Sequence, residues 1–314
     1  MEGMRSLRDV RKKTDMKSLV RGAAIVLALV SIGVAAFFGW KIYQTENEYK
    51  EGVDAYDLIA EIAVGTAKEE PGEIPASSVP EAGEDQTGNS TGQSELTEDE
   101  KQLSVEETDS LDEESAQGSQ VEEAPDLPQI DFAALQEVNP QILGWIYSRD
   151  TVINYPVVQG DDNDYYLRHL ANGTYNSSGC PFLDVKNRAD FSDENSIIYA
   201  HHMQNGTMFA GITWYADQAY FEEHPVLYLM MAERNYRLEP FAGYTTTMDS
   251  SAYRLTIPDA HDFAEWLREI SRKSDFRVSM RLTTQDRIIT LSTCAYSFED
   301  ARYVLHCKMT EITR

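Results

Sequence analysis

The chain has 314 residues, 42% of them hydrophobic, three cysteines and a formal net charge of −26. That length holds one or two domains, and the apolar fraction is enough for a core. The acidity excludes a nucleic-acid binder, since phosphate would be repelled, and the odd cysteine count excludes a framework in which every thiol pairs within the chain.

The first predicted element is "GAAIVLALVSIGVAAFFGW", residues 22–40, nineteen residues without a charge between Arg21 and Lys41. It is long enough to span a bilayer. Arg5, Arg8, Arg11, Lys12, Lys13, Lys17 and Arg21 precede it against only Glu2, Asp9 and Asp15. The positive-inside rule therefore predicts a single-pass anchor in the cell membrane, with residues 1–21 as a cytoplasmic basic tail and everything after Lys41 extracellular. The "VAA" at 34–36 would suit a signal peptidase, but the run is long for a signal core and is read as uncleaved. Residues 41–65 continue as a juxtamembrane helix, with Tyr49, Val53 and Tyr56 at helical spacing.

Residues 66–128 hold nineteen acidic and two basic side chains and are rich in Glu, Ser, Gly and Gln. Such a composition buries too little apolar surface to offset its ordering entropy, so the segment is expected to be a disordered acidic linker, stretched by self-repulsion. It contains no spaced D-x-D-x-D-G loop for calcium.

The folded domain is expected over residues 129–314. A short helix from Asp131 is stopped by Asn139 and Pro140, after which strand-like runs dominate: "TVINYPVVQ", "NSIIYAHH", "VLYLMM", "YRLEPFAGYT", "RIITLSTC" and "RYVLHCKMTEI". Short strands between turn residues predict a mainly β domain, a barrel or a sandwich. Two more helices are predicted, at roughly 208–215 and roughly 261–273. The second carries Phe263, Trp266, Leu267 and Ile270 at i, i+3, i+4 and i+7 and lies in a long insertion between two strands.

Strand parity sorts the cysteines. In 288–294, Ile288, Thr290, Ser292 and Cys294 share one face, so Cys294 has mostly hydroxylated company. In the next strand Arg302, Val304, His306 and Lys308 share a face, and Cys307 shares the other with Tyr303, Leu305 and Met309, as a core residue would. The connection 295–301 can return Arg302 beside Cys294, where a guanidinium favours thiolate and can hold an oxyanion. Of the six histidines, His201 and His202 stand out in "SIIYAHHMQNGTMF", at the end of an apolar strand entering a glycine-containing loop.

Taken together, "TLSTC", Arg302 in "RYVL" eight residues later, and "IIYAHHM…GTMF" upstream resemble a sortase, a cysteine transpeptidase of Gram-positive cell surfaces. "LGWIYSRDTVINYPVVQGDDNDYYLRHL" and the helix-bearing insertion at roughly 246–285 narrow the resemblance to class B. The resemblance covers nearly all of 129–314. It implies an eight-stranded β-barrel and a triad falling on Cys294 as nucleophile, His201 as acid/base and Arg302 as oxyanion stabiliser. Ser292, Asn163 and Leu167 match positions that help line the sorting-signal groove. Ala200 stands where glycine commonly precedes the histidine, and His202 where asparagine is common.

The resemblance further implies cleavage after a threonine of a C-terminal sorting signal on a surface protein. The acyl group would pass to an amine of a peptidoglycan precursor such as lipid II, or of a pilin, with no metal and no organic cofactor. Two other readings are an L,D-transpeptidase, whose compact "SHGC"-type motif is absent, and a wall-tethered binding module without activity.

Overall fold

The computed structural model describes residues 2–65, 104–106, 127–295 and 300–312. It divides into two units, Met1–Asp54 and Ala55–Arg314. The helices are α1 (Glu2–Val64), α2 (Phe132–Val138), α3 (Gln218–Glu223) and α4 (Ala260–Arg272). The strands are β1 (Ser104–Glu106), β2 (Ile142–Tyr147), β3 (Asn154–Val158), β4 (Phe182–Leu183), β5 (Asn195–Tyr199), β6 (Leu227–Met231), β7 (Asn235–Thr246), β8 (Arg281–Thr283), β9 (Arg287–Cys294) and β10 (Arg302–Ile312).

Among the described residues α1 is the one helix long and apolar enough to cross a membrane. In the first unit its large side chains face outward all round: Leu27 is 72% exposed and Phe38 58%. A helix apolar on every side has no soluble core to pack against and suits hydrocarbon surroundings.

In the second unit eight strands close into a barrel in the order β10–β7–β6–β2–β3–β4–β5–β9. The expected mainly β, eight-stranded barrel with short helices is thus what the chain forms. Gly144 lets β2 and β6 approach closely, because a Cβ there would stand 2.9 Å from the Met230 carbonyl oxygen. The proline in the β7 run, Pro240, sits at a bulge: β10 residues His306 and Cys307 pair with Ala242 and Pro240, leaving Phe241 as the extra residue. A bulge is where a strand tolerates a residue that cannot donate to the ladder.

β9 and β10 are covered on both faces. Ile289, Leu291, Tyr303, Leu305 and Cys307 are buried on one side. On the other, Ile288 and Val304 join Ala242 and Tyr244 beneath Phe263, Trp266, Leu267 and Ile270 of α4. Burial on both faces is why these strands read as nearly continuous apolar runs. α4 fills the predicted insertion between β7 and β9, capped by the Asp259 carboxylate accepting from the Asp262 amide at 2.9 Å. The helix predicted near 208–215 is a 3-10 helix, Phe209–Ala216, packed against β7, β9 and β10.

The second unit, Ala55–Arg314, includes the last turns of α1, which pack on the barrel. Tyr56, Ile59 and Ala63 are buried, the Tyr56 ring meets Tyr155 edge-on at 5.2 Å, and its hydroxyl donates to the Gly179 carbonyl at 2.5 Å. The Asp131 amide donates to the Ala63 carbonyl at 2.7 Å, joining the helix end to the start of α2. Within the segment read as a disordered linker, 66–103 and 107–126 lie outside the described residues, whereas β1 pairs in parallel with β8, Val105 opposite Leu282. β8 is not a barrel strand.

Candidate active site

The residues expected to carry chemistry come from four places in the chain, and the barrel closes them onto one groove of about 260 Å³. Cys294 ends β9 and Arg302 begins β10, and the antiparallel register sets them directly opposite each other. The next pair, Ala295 and Ala301, is bonded from amide to carbonyl at 2.9 Å. Cys294 and Arg302 therefore form the closer, non-bonded kind of pair, with both side chains on one face. Cys294 and Arg302 are each partly exposed, whereas Cys180 and Cys307 are buried; all three thiols are free.

His201 follows β5, which lies parallel to β9 with Tyr199 opposite Ser292. The loop beyond it is shaped locally. Gln204 and Asn205 are the central residues of a turn closed by Gly206, at φ +82, donating to the Met203 carbonyl at 3.0 Å. The return arm pairs His202 with Met208. Met208 holds an unfavourable positive φ of 58°, fixed by its amide bond to the Tyr155 hydroxyl at 3.0 Å. The His201 Nε2 stands 2.7 Å from the Leu167 carbonyl oxygen. Since a carbonyl only accepts, Nε2 carries a hydrogen and Nδ1 is left for other work.

Asn163, Leu167, His201, Ser292, Cys294 and Arg302 all line this groove; His202 does not. Asn163 is held through its amide, which donates to Asp184 at 3.0 Å and accepts from the Val185 amide at 2.9 Å. Asp184 also accepts from the Tyr199 hydroxyl at 2.9 Å. Burial first, then the Asp184 charge, pushes the Tyr199 phenol far up, so it stays a donor.

Sequence reasoning missed Tyr253, on the β7–β8 connection, which stands behind two residues of the lining, Ser292 and Tyr199. Its hydroxyl is 2.8 Å from the Ser292 hydroxyl, and its ring lies parallel to that of Tyr199 with centroids 6.2 Å apart. Burial pushes its phenol up to about 12, against the Ser292 hydrogen bond and the Arg302 charge, with the Cys294 thiol adding to the rise. A tyrosine in a loop without periodicity gave no signal. Tyr199, Phe182 and Met248 complete the apolar part of the lining. Tyr199 was within reach of parity, two residues from His201 on the same face.

Among the described residues no group of three or more His, Cys, Asp or Glu side chains could hold a metal ion. A thiol, an imidazole and a guanidinium on one groove supply a nucleophile, a proton carrier and an anion holder, the set that acyl transfer requires.

No protein-family model matches the chain. Sortase B of Listeria monocytogenes is 37% identical over 177 residues, 56% of this chain and 72% of that protein. Sortase B of Staphylococcus aureus is 33% identical over 184 residues, 58% of this chain and 75% of that protein. A solved S. aureus sortase B–substrate complex superposes with a TM-score of 0.56 at 33% identity, covering 58% of this chain and 85% of that one. A crystal structure of sortase B complexed with Gly3 gives a TM-score of 0.55 at 33% identity, covering 58% and 86%.

Proposed function

The chain belongs to the class B sortase family and is a cysteine transpeptidase, and on that footing we propose that Cys294, His201 and Arg302 are its nucleophile, acid/base and oxyanion-stabilising group. The observation that carries the proposal is the β9–β10 register, which sets Arg302 opposite Cys294 on the groove that His201 also lines.

The Cys294 thiolate attacks the carbonyl carbon of a threonine in a C-terminal sorting signal, forming the C–S bond. The Arg302 guanidinium receives the oxyanion. The tetrahedral intermediate collapses by breaking the C–N bond, and His201 Nδ1–H protonates the departing amine. The imidazolium so used keeps its Nε2–H on the Leu167 carbonyl. In the second half Nδ1 takes a proton from an incoming amine, which attacks the thioester and releases Cys294. The relatives solved with a substrate and with Gly3 support a sorting-signal donor and an amine acceptor; the acceptor belongs to peptidoglycan or to a pilin. Asn163, Leu167 and Ser292 line the donor's path. The apolar part of α1 supports a single-pass anchor with the basic tail inside and the barrel outside.

Mass spectrometry of residues 55–314 incubated with a sorting-signal peptide library tests this. The expected result is one acyl adduct, mapped to Cys294 and discharged by triglycine. An adduct that persists in the Cys294→Ala protein, or none in the wild type, sinks the proposal.

A further inference from the structure

The chain has two adjacent histidines, and the mechanism uses one. His202 does not face the groove; its Nδ1 stands 3.1 Å from the carbonyl oxygen of Cys294 itself. That carbonyl cannot be served from β10. The Ala295–Ala301 pair is the bonded one, so at Cys294 the backbone groups point the other way, toward β5. On that side the ladder is parallel, with a rung from the Ala200 amide to the Ser292 carbonyl at 3.1 Å. The next rung of such a ladder would join residue 202 to Cys294. Strand β5 has ended by then: His201 accepts from the Phe209 amide at 2.9 Å, and His202 pairs with Met208 across the turn that Gly206 closes. An imidazole stands where a further strand residue would have continued the ladder.

We propose that His202 is a positioning residue, whose Nδ1–H bond to the Cys294 carbonyl extends the β5–β9 ladder past the end of β5 and fixes the nucleophile's backbone in the groove. The inference rests on the transpeptidase reading above for its kinetic consequence, but not for its geometry. A carbonyl oxygen only accepts, so Nδ1 must carry hydrogen. Both the neutral Nδ1–H tautomer and the imidazolium meet that requirement. The role therefore survives titration of the ring, which separates it from an acid/base role. It also assigns the two histidines different hydrogens: Nε2–H on His201, toward Leu167, and Nδ1–H on His202, toward Cys294. A misplaced nucleophile costs rate because near-attack geometry is lost even when every reacting group is present.

The test pairs kinetics with a readout that needs no activity. Single-turnover acylation across pH is measured for wild type, His202→Ala, His202→Asn and His201→Asn, with melting temperatures. His202→Ala should acylate about tenfold more slowly. His202→Asn, whose amide N–H can reach the same carbonyl, should return to within about threefold of wild type and keep both limbs of the pH profile. His201→Asn should lose one limb. Acylation of His202→Ala within twofold of wild type overturns the proposal, as does His202→Asn being no faster than His202→Ala or lacking a limb. Nitrogen NMR of the wild-type imidazoles holds even if a variant fails to fold: a neutral His202 ring unprotonated at Nδ1 also overturns it. Should wild type form no acyl-enzyme while the tautomer is as stated, the transpeptidase reading fails and the positioning bond stands.

Discussion

His306 shares a strand face with Arg302, Val304 and Lys308, and its surroundings say why it is there. It has no exposed surface. Tyr244 donates to its Nε2 at 3.3 Å, its Nδ1–H donates to the Thr290 hydroxyl at 2.8 Å, and Thr290 donates to Asn195 at 2.6 Å. Every member of that chain is satisfied only if the ring is neutral. Burial, with the Lys273 charge adding to it, holds its pKa down to about 3. The unfolded chain takes up this proton near pH 6.5 and the folded one only near 3, so acidification favours unfolding throughout that window. Urea unfolding at stepped pH should show wild type losing about 1.4 kcal/mol per pH unit more than His306→Asn between roughly pH 6 and 4. Equal slopes would show that the ring is not neutral in the fold. Arg302 is tested differently. Arg302→Lys should melt with wild type yet acylate at least about tenfold more slowly, since lysine keeps charge but loses the planar donor fork. A single-turnover rate within twofold of wild type would remove Arg302 from the mechanism.

At the scale of elements, α4 does two jobs with two faces. Its apolar stripe lies under β7, β9 and β10, and Leu267→Ala should cost about 2–5 kcal/mol in chemical denaturation. Its other contacts hold the short turn that carries Tyr253. Trp266 Nε1 donates to the Ser251 carbonyl at 2.8 Å, and the Ser251 hydroxyl donates to Glu269 at 2.6 Å. Asn195, the end of the buried His306 chain, clamps the same turn by donating to the Arg254 carbonyl at 2.9 Å. Glu269→Ala should therefore shift kcat/KM among sorting-signal peptides severalfold while moving stability by about 0–1 kcal/mol, its ion pair with Lys273 being exposed. Unchanged peptide preference with a lowered melting temperature would make this contact packing alone. The difference between what was legible and what was not follows from the same contacts. Period-two alternation and a short connection placed Cys294 beside Arg302 from sequence, and the 3.6 period drew α4. Tyr253 was not legible, because its position depends on Asn195 and on α4, partners remote in sequence that no local pattern encodes. The helical spacing of Tyr49, Val53 and Tyr56 pointed to a helix but not to what it meets: Tyr56 is buried with Ile59 and Ala63, whereas Val53 is exposed.

At the scale of the molecule, the barrel and the last turns of α1 belong to one unit, Ala55–Arg314. A protein beginning at residue 129 lacks the Ile59 and Tyr56 side chains and the Tyr56–Gly179 bond. It should be less stable than 55–314 by roughly 3–5 kcal/mol in urea. Equal midpoints and slopes for the two would mean that the helix end contributes nothing to the fold. Replacing 66–103, which leaves β1 in place, by a short Gly-Ser bridge should do little, since closing a loop costs only about 0.6 kcal/mol per doubling of its length.

The Ala63–Asp131 bond makes residues 64–130 a detour whose two ends meet at one seam and which also pairs with β8 through β1. A linear stalk fails at its first cut: one protease nick sheds everything beyond it. Here a nick in that detour leaves two fragments held by Tyr56, Ile59 and Ala63, and release waits on the seam opening rather than on cleavage. Limited proteolysis followed by gel filtration should return both fragments in one peak under native conditions and in two after denaturation, and separation of the pieces would then be a matter of how fast a helix peels from a barrel.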